Sequence, residues 1–210
     1  MSPRPKLDHI RLPQLLAAAA EAIQERGFHD ARITDIAERV GIHASTVLHY
    51  VKSKDALLRD ALTFGEEAFF TSLTDELERE EDAVKRLLLV IDWCTTPPVG
   101  LNDWALWIET WQLARINPEV RAARTELDAR WRALVADIVR KGHADGQFKG
   151  PKPEDAAVIL ASLLDGLALQ VALGDPEVTA ERMRRLAIAA ASALLEHDLE
   201  PTSARRRRKR

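Results

Sequence analysis

Apolar side chains recur every three or four residues over most of the chain, the spacing that gathers them on one face of an α-helix. Stretches in which β-branched residues alternate with polar ones, as in half-buried strands, are almost absent. The pattern predicts nine helices, at about residues 13–26, 34–40, 45–51, 54–79, 82–95, 102–116, 119–145, 154–173 and 177–198. Proline or glycine lies at six of the eight breaks between these segments. Because the periodic segments have helical spacing, we predict an all-α fold.

The segment 34–51 predicts two short helices joined by a tight turn. Thr34 is suited to cap the first helix, and Gly41 lies where the chain must turn and can adopt a positive φ without a Cβ clash. Ser45 and Thr46 open the second helix, and its predicted inward contacts are Val47, Leu48 and Val51. Two helices joined by a turn that contains glycine describe a helix-turn-helix, whose second helix can lie in the major groove of DNA.

A longer pattern runs through this segment: Gly27-Phe28, Thr34-x-Ile36-Ala37, Val40-Gly41-Ile42 and Ser45-Thr46-Val47-Leu48-His49-Tyr50-Val51-x-Ser53-Lys54-Asp55-x-Leu57-Leu58. It closely resembles the DNA-binding domain of the tetracycline-repressor (TetR) family. The resemblance implies an N-terminal three-helix DNA-binding domain and a C-terminal helical domain for ligand binding and dimerisation. We therefore expect an arm and DNA-binding domain at 1–53, a sensor and dimerisation domain at 54–200, and a basic disordered tail at 201–210.

Eight side chains around the helix-turn-helix are candidates for DNA contacts. Small residues at the amino end of the second helix allow close approach, and the helix start offers backbone N–H groups to phosphate. Ala44 can contact a thymine methyl, and His43 can donate to a base or a phosphate. The resemblance implies phosphate contacts for Tyr50 and Lys54. The full set is Thr34, His43, Ala44, Ser45, Thr46, His49, Tyr50 and Lys54.

Several of these residues have a second interpretation. Tyr50 can be core packing, His49 can be merely exposed, and Thr34 can serve only as an N-cap. A domain of this size covers too little DNA for high specificity. We therefore expect a homodimer that binds a palindromic operator in double-stranded DNA.

Residues 154–173 and 186–195 are apolar around most of a helix circumference and need burial on more than one side. The resemblance implies that the last two long helices pair with those of a second copy in a four-helix interface. Burial inside one monomer is the alternative. The residues predicted at the interface are Leu160, Leu163, Leu164, Leu167, Ala190 and Leu194.

All five tryptophans lie in the C-terminal part of the chain, and three of them share a helix face by their i, i+3, i+7 spacing. Core packing explains any single one, and a cavity lined with aromatic rings is the alternative. Carboxylates such as Asp92 can combine with the rings to hold a cation, or can be surface charges. The predicted ligand contacts are Trp93, Trp104, Trp107, Glu109, Trp111, Trp131 and Asp165.

A second pattern covers roughly residues 100–172: Trp104-x-x-Trp107-Ile108-Glu109-x-Trp111-x-x-Ala114-Arg115-x-x-Pro118, Trp131-Arg132, Gly142-x-x-x-Gly146-x-Phe148 and Leu164-Asp165-Gly166-Leu167-Ala168-Leu169-Gln170. It resembles the C-terminal domain of the choline-responsive, BetI-like branch of the same family. Members of this branch sense unlike ligands, so the resemblance implies a small-molecule effector without identifying it. We predict a ligand-responsive DNA-binding regulator, and by resemblance a repressor.

Charge and composition narrow the functional classes. The 210 residues have a formal net charge of −3, with +1 over residues 1–60, −10 over 61–204 and +6 in the last six residues. DNA binding therefore depends on a few placed cations rather than on a general positive field. We find no apolar run of about 18 residues and expect no membrane span. A single cysteine, Cys94, fits a reducing cytoplasm.

Catalytic motifs are absent from the sequence. It has no glycine-rich phosphate loop, no paired-histidine metal motif and no nucleophile elbow, so we predict neither an enzyme nor a bound cofactor or metal. Cys94 can be a reactive thiol or a buried structural residue. The contrasting hypotheses are an interaction protein whose helix-turn-helix no longer binds DNA, and an α-helical enzyme.

Overall fold

The computed structural model describes residues 8–51, 53–96 and 104–199. In these ranges the chain forms nine α-helices and no strand: α1 (Asp8–Asp30), α2 (Ile33–Val40), α3 (Ala44–Tyr50), α4 (Lys54–Leu77), α5 (Ala83–Thr95), α6 (Trp104–Ala114), α7 (Pro118–Ala144), α8 (Pro153–Ala172) and α9 (Ala180–Leu194). The predicted all-α fold is confirmed. The start of the predicted arm (1–7), the break at 97–100 and the tail at 201–210 lie outside the described residues.

The chain divides into two compact units. Unit 1 comprises residues 1–70 and 100–124, and thus contains α1 to α3, most of α4, all of α6 and the start of α7. Unit 2 comprises residues 71–99 and 125–210, with the end of α4, α5, the rest of α7, α8 and α9. The predicted boundary after residue 53 separates a DNA-binding domain from a sensor and dimerisation domain by function, and it stays a prediction.

Unit 1 is built around one apolar core to which α1, α2, α3 and α4 all contribute. Its largest fully buried side chains are Leu15, Ile23, Ile36, Leu57 and Leu58. Burial of a side chain of this size stabilises a fold by about 1.5–3 kcal/mol. The end of α6 and the start of α7 belong to the same core, through Leu113, Ala114 and Val120. The helix-turn-helix and α6 are therefore parts of one packed body.

The turn between α2 and α3 follows the prediction at Gly41 and departs from it at Thr34. Gly41 ends α2 in the left-handed conformation, with φ 69°. The N-cap of α2 is Arg32, whose backbone is extended and whose side chain makes no capping hydrogen bond. Because the helix begins at Ile33, Thr34 already lies within its first turn. The prediction that Thr34 caps this helix is therefore wrong.

Helix α1 is longer than its apolar pattern indicates. It begins at Asp8, so Pro13 lies inside the helix and not at its first position. A proline there removes one backbone hydrogen bond near the start of the helix. Gly27, at φ 77° and ψ 163°, interrupts the helical geometry where the pattern places the end, and a short helical segment then continues to Asp30.

In unit 2, α5 and α8 both pack against α9, and α5 packs against α8. Side-chain caps set the start of two of these helices. The Asp82 carboxylate accepts from the backbone N–H of Lys85 at 2.9 Å, and Thr179 Oγ1 accepts from that of Arg182 at 3.2 Å. The cap at Thr179 explains why α9 begins at Ala180 rather than near residue 177.

The loop after α7 gives a physical reason for the spacing of Gly142 and Phe148. The backbone N–H groups of Gln147 and Phe148 donate to the carbonyl oxygen of Gly142 at 2.8 and 3.0 Å, so the chain doubles back on its own helix. The Phe148 ring, 3% exposed, then lies directly against Gly142, where an added Cβ would be 2.6 Å from the ring Cγ. The ring also meets His197 edge-on at 5.7 Å, which closes the loop onto the segment after α9.

Candidate nucleic-acid interface and sensor helices

Ion pairs as well as apolar contacts fix α2 on α1. Arg39 of α2 pairs with Glu21, at 3.2 Å, and with Glu25, while Arg26 of α1 pairs with Asp35 of α2. The hydrogen bond from Arg39 holds the pKa of Glu25 below its usual range. Because one partner of each pair is about half exposed to solvent, these pairs orient α2 more than they stabilise it.

Helix α3 turns one side to the core and the other to solvent. Val47 is fully buried and Val51 is 9% exposed, whereas Ser45 is exposed and Leu48 is 55% exposed. Residues three apart lie on the same helix face, so Ser45 and Leu48 define an open face of α3. Because the opposite side is anchored in the core, this face has the form of a helix that enters a groove of DNA.

Leu48 is the residue that the sequence reasoning placed wrongly, since it was expected to face inward. Val47 and Val51 are four residues apart and define the buried line of α3. Leu48 lies one position, or about 100°, away from that line. The i, i+4 spacing of the two valines was the signal that could have identified Leu48 as exposed.

The eight predicted DNA-contact residues differ in exposure. Thr34, His43 and Ser45 are exposed, Ala44, Thr46, Tyr50 and Lys54 are half-buried, and the side chain of His49 lies outside the described part of the chain. Ala44 and Tyr50 pack against the core of unit 1, which is the second interpretation given above for Tyr50. The carbonyl oxygen of His43 accepts from the backbone N–H of Thr46 at 2.8 Å and so begins α3.

Lys54 lies at a junction between α1 and α4. Its Nζ donates to the backbone carbonyl oxygen of His29 at 2.7 Å. The ammonium group is therefore at the C-terminal end of α1, where the helix dipole favours a positive charge. This contact ties the end of α1 to the residue from which α4 begins, directly after α3.

The predicted ligand contacts of α6 lie in unit 1. Trp104, Trp107, Trp111 and Glu109 are all half-buried. The Arg124 guanidinium lies over the Trp111 ring, 5.7 Å from its centroid, so one face of that ring is already covered by a cation of the chain itself. The Glu109 carboxylate lies beside Gly27, where an added Cβ would be 3.2 Å from Oε1.

The predicted ligand contacts of unit 2 are in a different setting. Trp93 is 7% exposed, and its Nε1 donates to the Glu76 carboxylate at 2.7 Å. The neighbouring Asp92 accepts two hydrogen bonds from Arg184 of α9, at 2.5 and 3.3 Å, so its charge is already engaged. The other two members of the set in this unit, Trp131 and Asp165, are half-buried.

Cys94 is buried in unit 2 and 5% exposed. Burial raises the pKa of its thiol, and the negative charge of Asp165 raises it further. Because the thiolate is the nucleophilic form, this environment disfavours reaction. The structure thus favours the structural interpretation of Cys94 over the reactive one.

The predicted interface residues of α8 and α9 do not share one environment. Leu160 and Leu164 are each 3% exposed and pack inside unit 2, while Leu163, Leu167, Ala190 and Leu194 are half-buried. The helix pair also has exposed apolar side chains that the pattern did not single out: Val158, Ile159 and Leu186, of which Val158 is 50% exposed and Ile159 is 49% exposed. We call these three residues the outer apolar face.

Helix α8 is also long and apolar enough to cross a membrane by length and composition, with a mean hydropathy of 1.6 over its most apolar window. The expectation that the chain has no such run is therefore wrong. Core helices of soluble proteins meet the same criterion. In α8 the apolar character has two evident sources, since one side packs on α5 and α9 and the other carries part of the outer apolar face.

Two family models match the chain. Residues 15–61 match the model of bacterial regulatory proteins of the tetR family. Residues 83–196, more than half of the chain, match the model of the C-terminal domain of BetI-type transcriptional repressors. The first match includes the whole helix-turn-helix, and the second begins at α5 and ends just after α9.

Relatives and solved structures agree with these matches. The HTH-type transcriptional regulator BetI 1 of Chromohalobacter salexigens is 28% identical over 191 residues, which cover 88% of this chain and 90% of that protein. The BetI regulator of Ectopseudomonas mendocina is 29% identical, with 88% and 93% covered. A transcriptional regulator from Saccharomonospora viridis, solved in complex with choline, is 29% identical with a TM-score of 0.78, covering 84% of this chain and 93% of that one. A TetR regulator from Haloarcula marismortui, at 24% identity over 88% of this chain and 98% of that one, has the same fold with a TM-score of 0.79.

Proposed function

Because this chain belongs to the tetR family of bacterial regulatory proteins and has a BetI-type repressor domain, we propose that it represses transcription as a homodimer that a small molecule releases from a palindromic operator. The observation that carries the proposal is the open face of α3, held on a buried line of valines. Such a regulator acts on DNA in the cytoplasm. The proposal assigns the chain no enzymatic activity, and no trio of side chains in the described ranges could hold a metal.

The side chains around α3 divide by the kind of DNA contact they can make. Ser45 and Leu48 lie on the open face, where a hydroxyl can hydrogen-bond to a base edge and an isobutyl group can contact a thymine methyl. His43 is exposed at the start of the same helix and can also donate to a base. We assign Tyr50 and Lys54 to phosphate contacts, which position the helix without specifying sequence.

The outer apolar face supports the proposed homodimer. Val158 and Ile159 of α8 are about half exposed, and Leu186 of α9 is 41% exposed. Exposed apolar side chains on two helices that pack together favour association with a second surface of the same kind. Leu163 and Leu167 remain accessible for this interface, whereas the burial of Leu160 and Leu164 inside unit 2 supports a role within the monomer.

We propose a quaternary ammonium compound as the effector. The S. viridis regulator, which is 29% identical to this chain, was solved with choline. Aromatic faces attract such a cation, and Trp104 and Trp107 are half-buried on one helix. Trp111 is less suited to a ligand cation, because Arg124 already covers one of its faces.

The proposal is tested by selecting DNA from a random duplex pool with the purified chain and measuring the affinity of the selected duplex against salt concentration. We expect a palindrome, and an affinity that falls steeply as salt rises because phosphate contacts release counterions. Lys54→Ala should weaken binding to every sequence and reduce the salt slope by about one per subunit. Lys149→Ala, which removes an exposed cation of unit 2, is the matched control and should leave both unchanged.

Base recognition, and release of the protein from the operator by a small molecule, are tested on the same duplex. Ser45→Ala and Leu48→Ala should change the preference among single-base operator variants, and choline should release the wild-type chain. Equal weakening on all variants would refute base recognition by these two side chains. If no duplex is enriched, the chain is instead an interaction protein whose helix-turn-helix no longer binds DNA.

A further inference from the structure

Two indole N–H groups of this chain are in opposite situations. The Nε1 of Trp93 donates to Glu76 at 2.7 Å, whereas the Nε1 of Trp111 is buried and, within the described part of the chain, has no hydrogen-bond partner. A buried donor without an acceptor destabilises a fold. The Trp111 ring is therefore not positioned by its polar atom, and the contacts of its face become the feature to explain.

One face of the Trp111 ring is covered by a cation of the chain itself. The guanidinium carbon of Arg124 lies 5.7 Å from the ring centroid, within the range of about 6 Å that defines a cation–π contact. Arg124 is on α7 and Trp111 is on α6, and both belong to unit 1. Because a quaternary ammonium group is attracted to the same ring face, Arg124 and a ligand cation would compete for one site.

The contact lies one helical turn beyond the apolar core of unit 1. Arg124 is four residues after the core residue Val120, and Trp111 is three residues before the core residue Ala114. Residues at these spacings lie on the same helix face as the core residue. Arg124 is accordingly half-buried, so its guanidinium is held toward the interior of unit 1 rather than extended into solvent.

A buried carboxylate occurs at the corresponding position of α4. Glu66 follows the core residue Leu62 by four residues and, at 7% exposed, is the most deeply buried charged side chain of the described ranges. A charge in the interior is stabilised only by an opposite charge or by hydrogen bonds. The part of unit 1 beyond its core therefore combines a carboxylate, an aromatic face and a guanidinium, and the first two are the groups that bind a cation.

We infer that Arg124 is a resident cation of the effector site: it covers the face of Trp111, and a quaternary ammonium compound binds there only by displacing it. The inference rests on the proposed function, because it concerns the effector proposed above, and it makes Arg124 a residue that sets the effector affinity. A cation–π contact changes a binding equilibrium by a factor of about 2 to 30. Removal of the Arg124 charge should therefore strengthen effector binding, whereas loss of a merely structural residue would weaken it.

The test is isothermal titration calorimetry of the full chain, without DNA, with tetramethylammonium, a quaternary cation that has no other functional group. Arg124→Gln removes the charge over the ring, and the matched control Arg115→Gln removes an exposed cation from the same unit. We expect Arg124→Gln to bind tetramethylammonium at least about fivefold more tightly than the wild type, and Arg115→Gln to differ from it by less than about twofold. In a Trp111→Leu background, Arg124→Gln should no longer strengthen binding, because the ring for which the two cations compete is absent.

Each other outcome overturns the inference. Binding by Arg124→Gln that is unchanged, weaker or undetectable shows that Arg124 does not compete with the cation. A gain that Arg115→Gln shares is a general effect of charge, and a gain that persists without the Trp111 ring places the site elsewhere. Should Arg124→Gln fail to fold, Arg124→Met keeps the packing of the side-chain stem without the charge and must show the same gain.

The proposed function is tested separately, by the operator selection described above. An operator that choline releases, together with no gain in Arg124→Gln, refutes the inference alone. A gain in Arg124→Gln without any enriched duplex refutes the proposed regulator and leaves a cation site whose occupancy Arg124 controls.

Discussion

The substitution Gly142→Ala should destabilise the protein by about 2–4 kcal/mol. A Cβ at position 142 would lie 2.6 Å from Cγ of Phe148, so the ring must leave a site in which it is only 3% exposed. Loss of a buried phenyl ring costs about 3–5 kcal/mol. Alanine has a better helix propensity than glycine by about 1 kcal/mol, and this gain offsets part of the cost. The steric effect is thus several times larger than the propensity effect and decides the sign.

Urea unfolding followed by circular dichroism, at one fixed protein concentration, measures this difference. The control is the same substitution in a Phe148→Ala background, where the ring that would clash is absent. There Gly142→Ala should be neutral or should stabilise by up to about 1 kcal/mol. An equal cost in both backgrounds, or no cost in the wild-type background, would refute the packing argument.

Three further predictions concern a thiol, a helix cap and the outer apolar face. Burial raises the pKa of the Cys94 thiol, so as pH rises the unfolded chain loses this proton before the folded chain does. The free energy of unfolding of the wild type should therefore fall faster with pH above about 8.5 than that of Cys94→Ala. Equal slopes for the two proteins would contradict this. Asp82→Ala should cost about 1 kcal/mol at pH 7 by loss of the α5 cap. The backbone N–H of Lys85 lowers the pKa of Asp82, so this difference should be fully present above about pH 4 and should shrink as pH falls further, through the lowered pKa of the folded state. A difference that does not shrink at all below about pH 4 would exclude the carboxylate as the cause. Ile159→Lys should yield a monomer by light scattering where the wild type is a dimer, and an unchanged mass would place the interface elsewhere.

The helices and the turn at Gly41 could be predicted because periodicity and turn chemistry are local properties of the sequence. The predicted helix boundaries are wrong where one or two residues determine the position of a cap or a break. The pattern allowed α9 to start near residue 177, but Thr179 supplies the cap that defines its first turn. In α2 the chain enters the helix at Arg32, a residue type with no capping preference, and nothing in the sequence indicated it.

Contacts between distant residues could not be predicted, because periodicity defines the buried face of a helix but not what covers it. The partner of Lys54 is a backbone carbonyl, which every residue has, and the Arg184 that engages Asp92 lies 92 residues away. The apolar pattern of α8 extends around the helix, so it could not decide which leucines face the monomer core. The burial of Leu160 shows that this choice depends on the tertiary structure.

Two glycines show that the effect of an added side chain depends on what it would meet. At Gly142 the neighbour is a rigid aromatic ring in the interior, which cannot give way without leaving its site. At Gly27 the neighbour is the end of a half-buried glutamate, a flexible side chain that can withdraw at little cost. A clash with a rigid neighbour lowers the free energy of unfolding, whereas a flexible neighbour can move aside while the fold persists. Changes at the Phe148 contact should therefore lower the free energy of unfolding, whereas truncation of the Glu109 side chain should change it little.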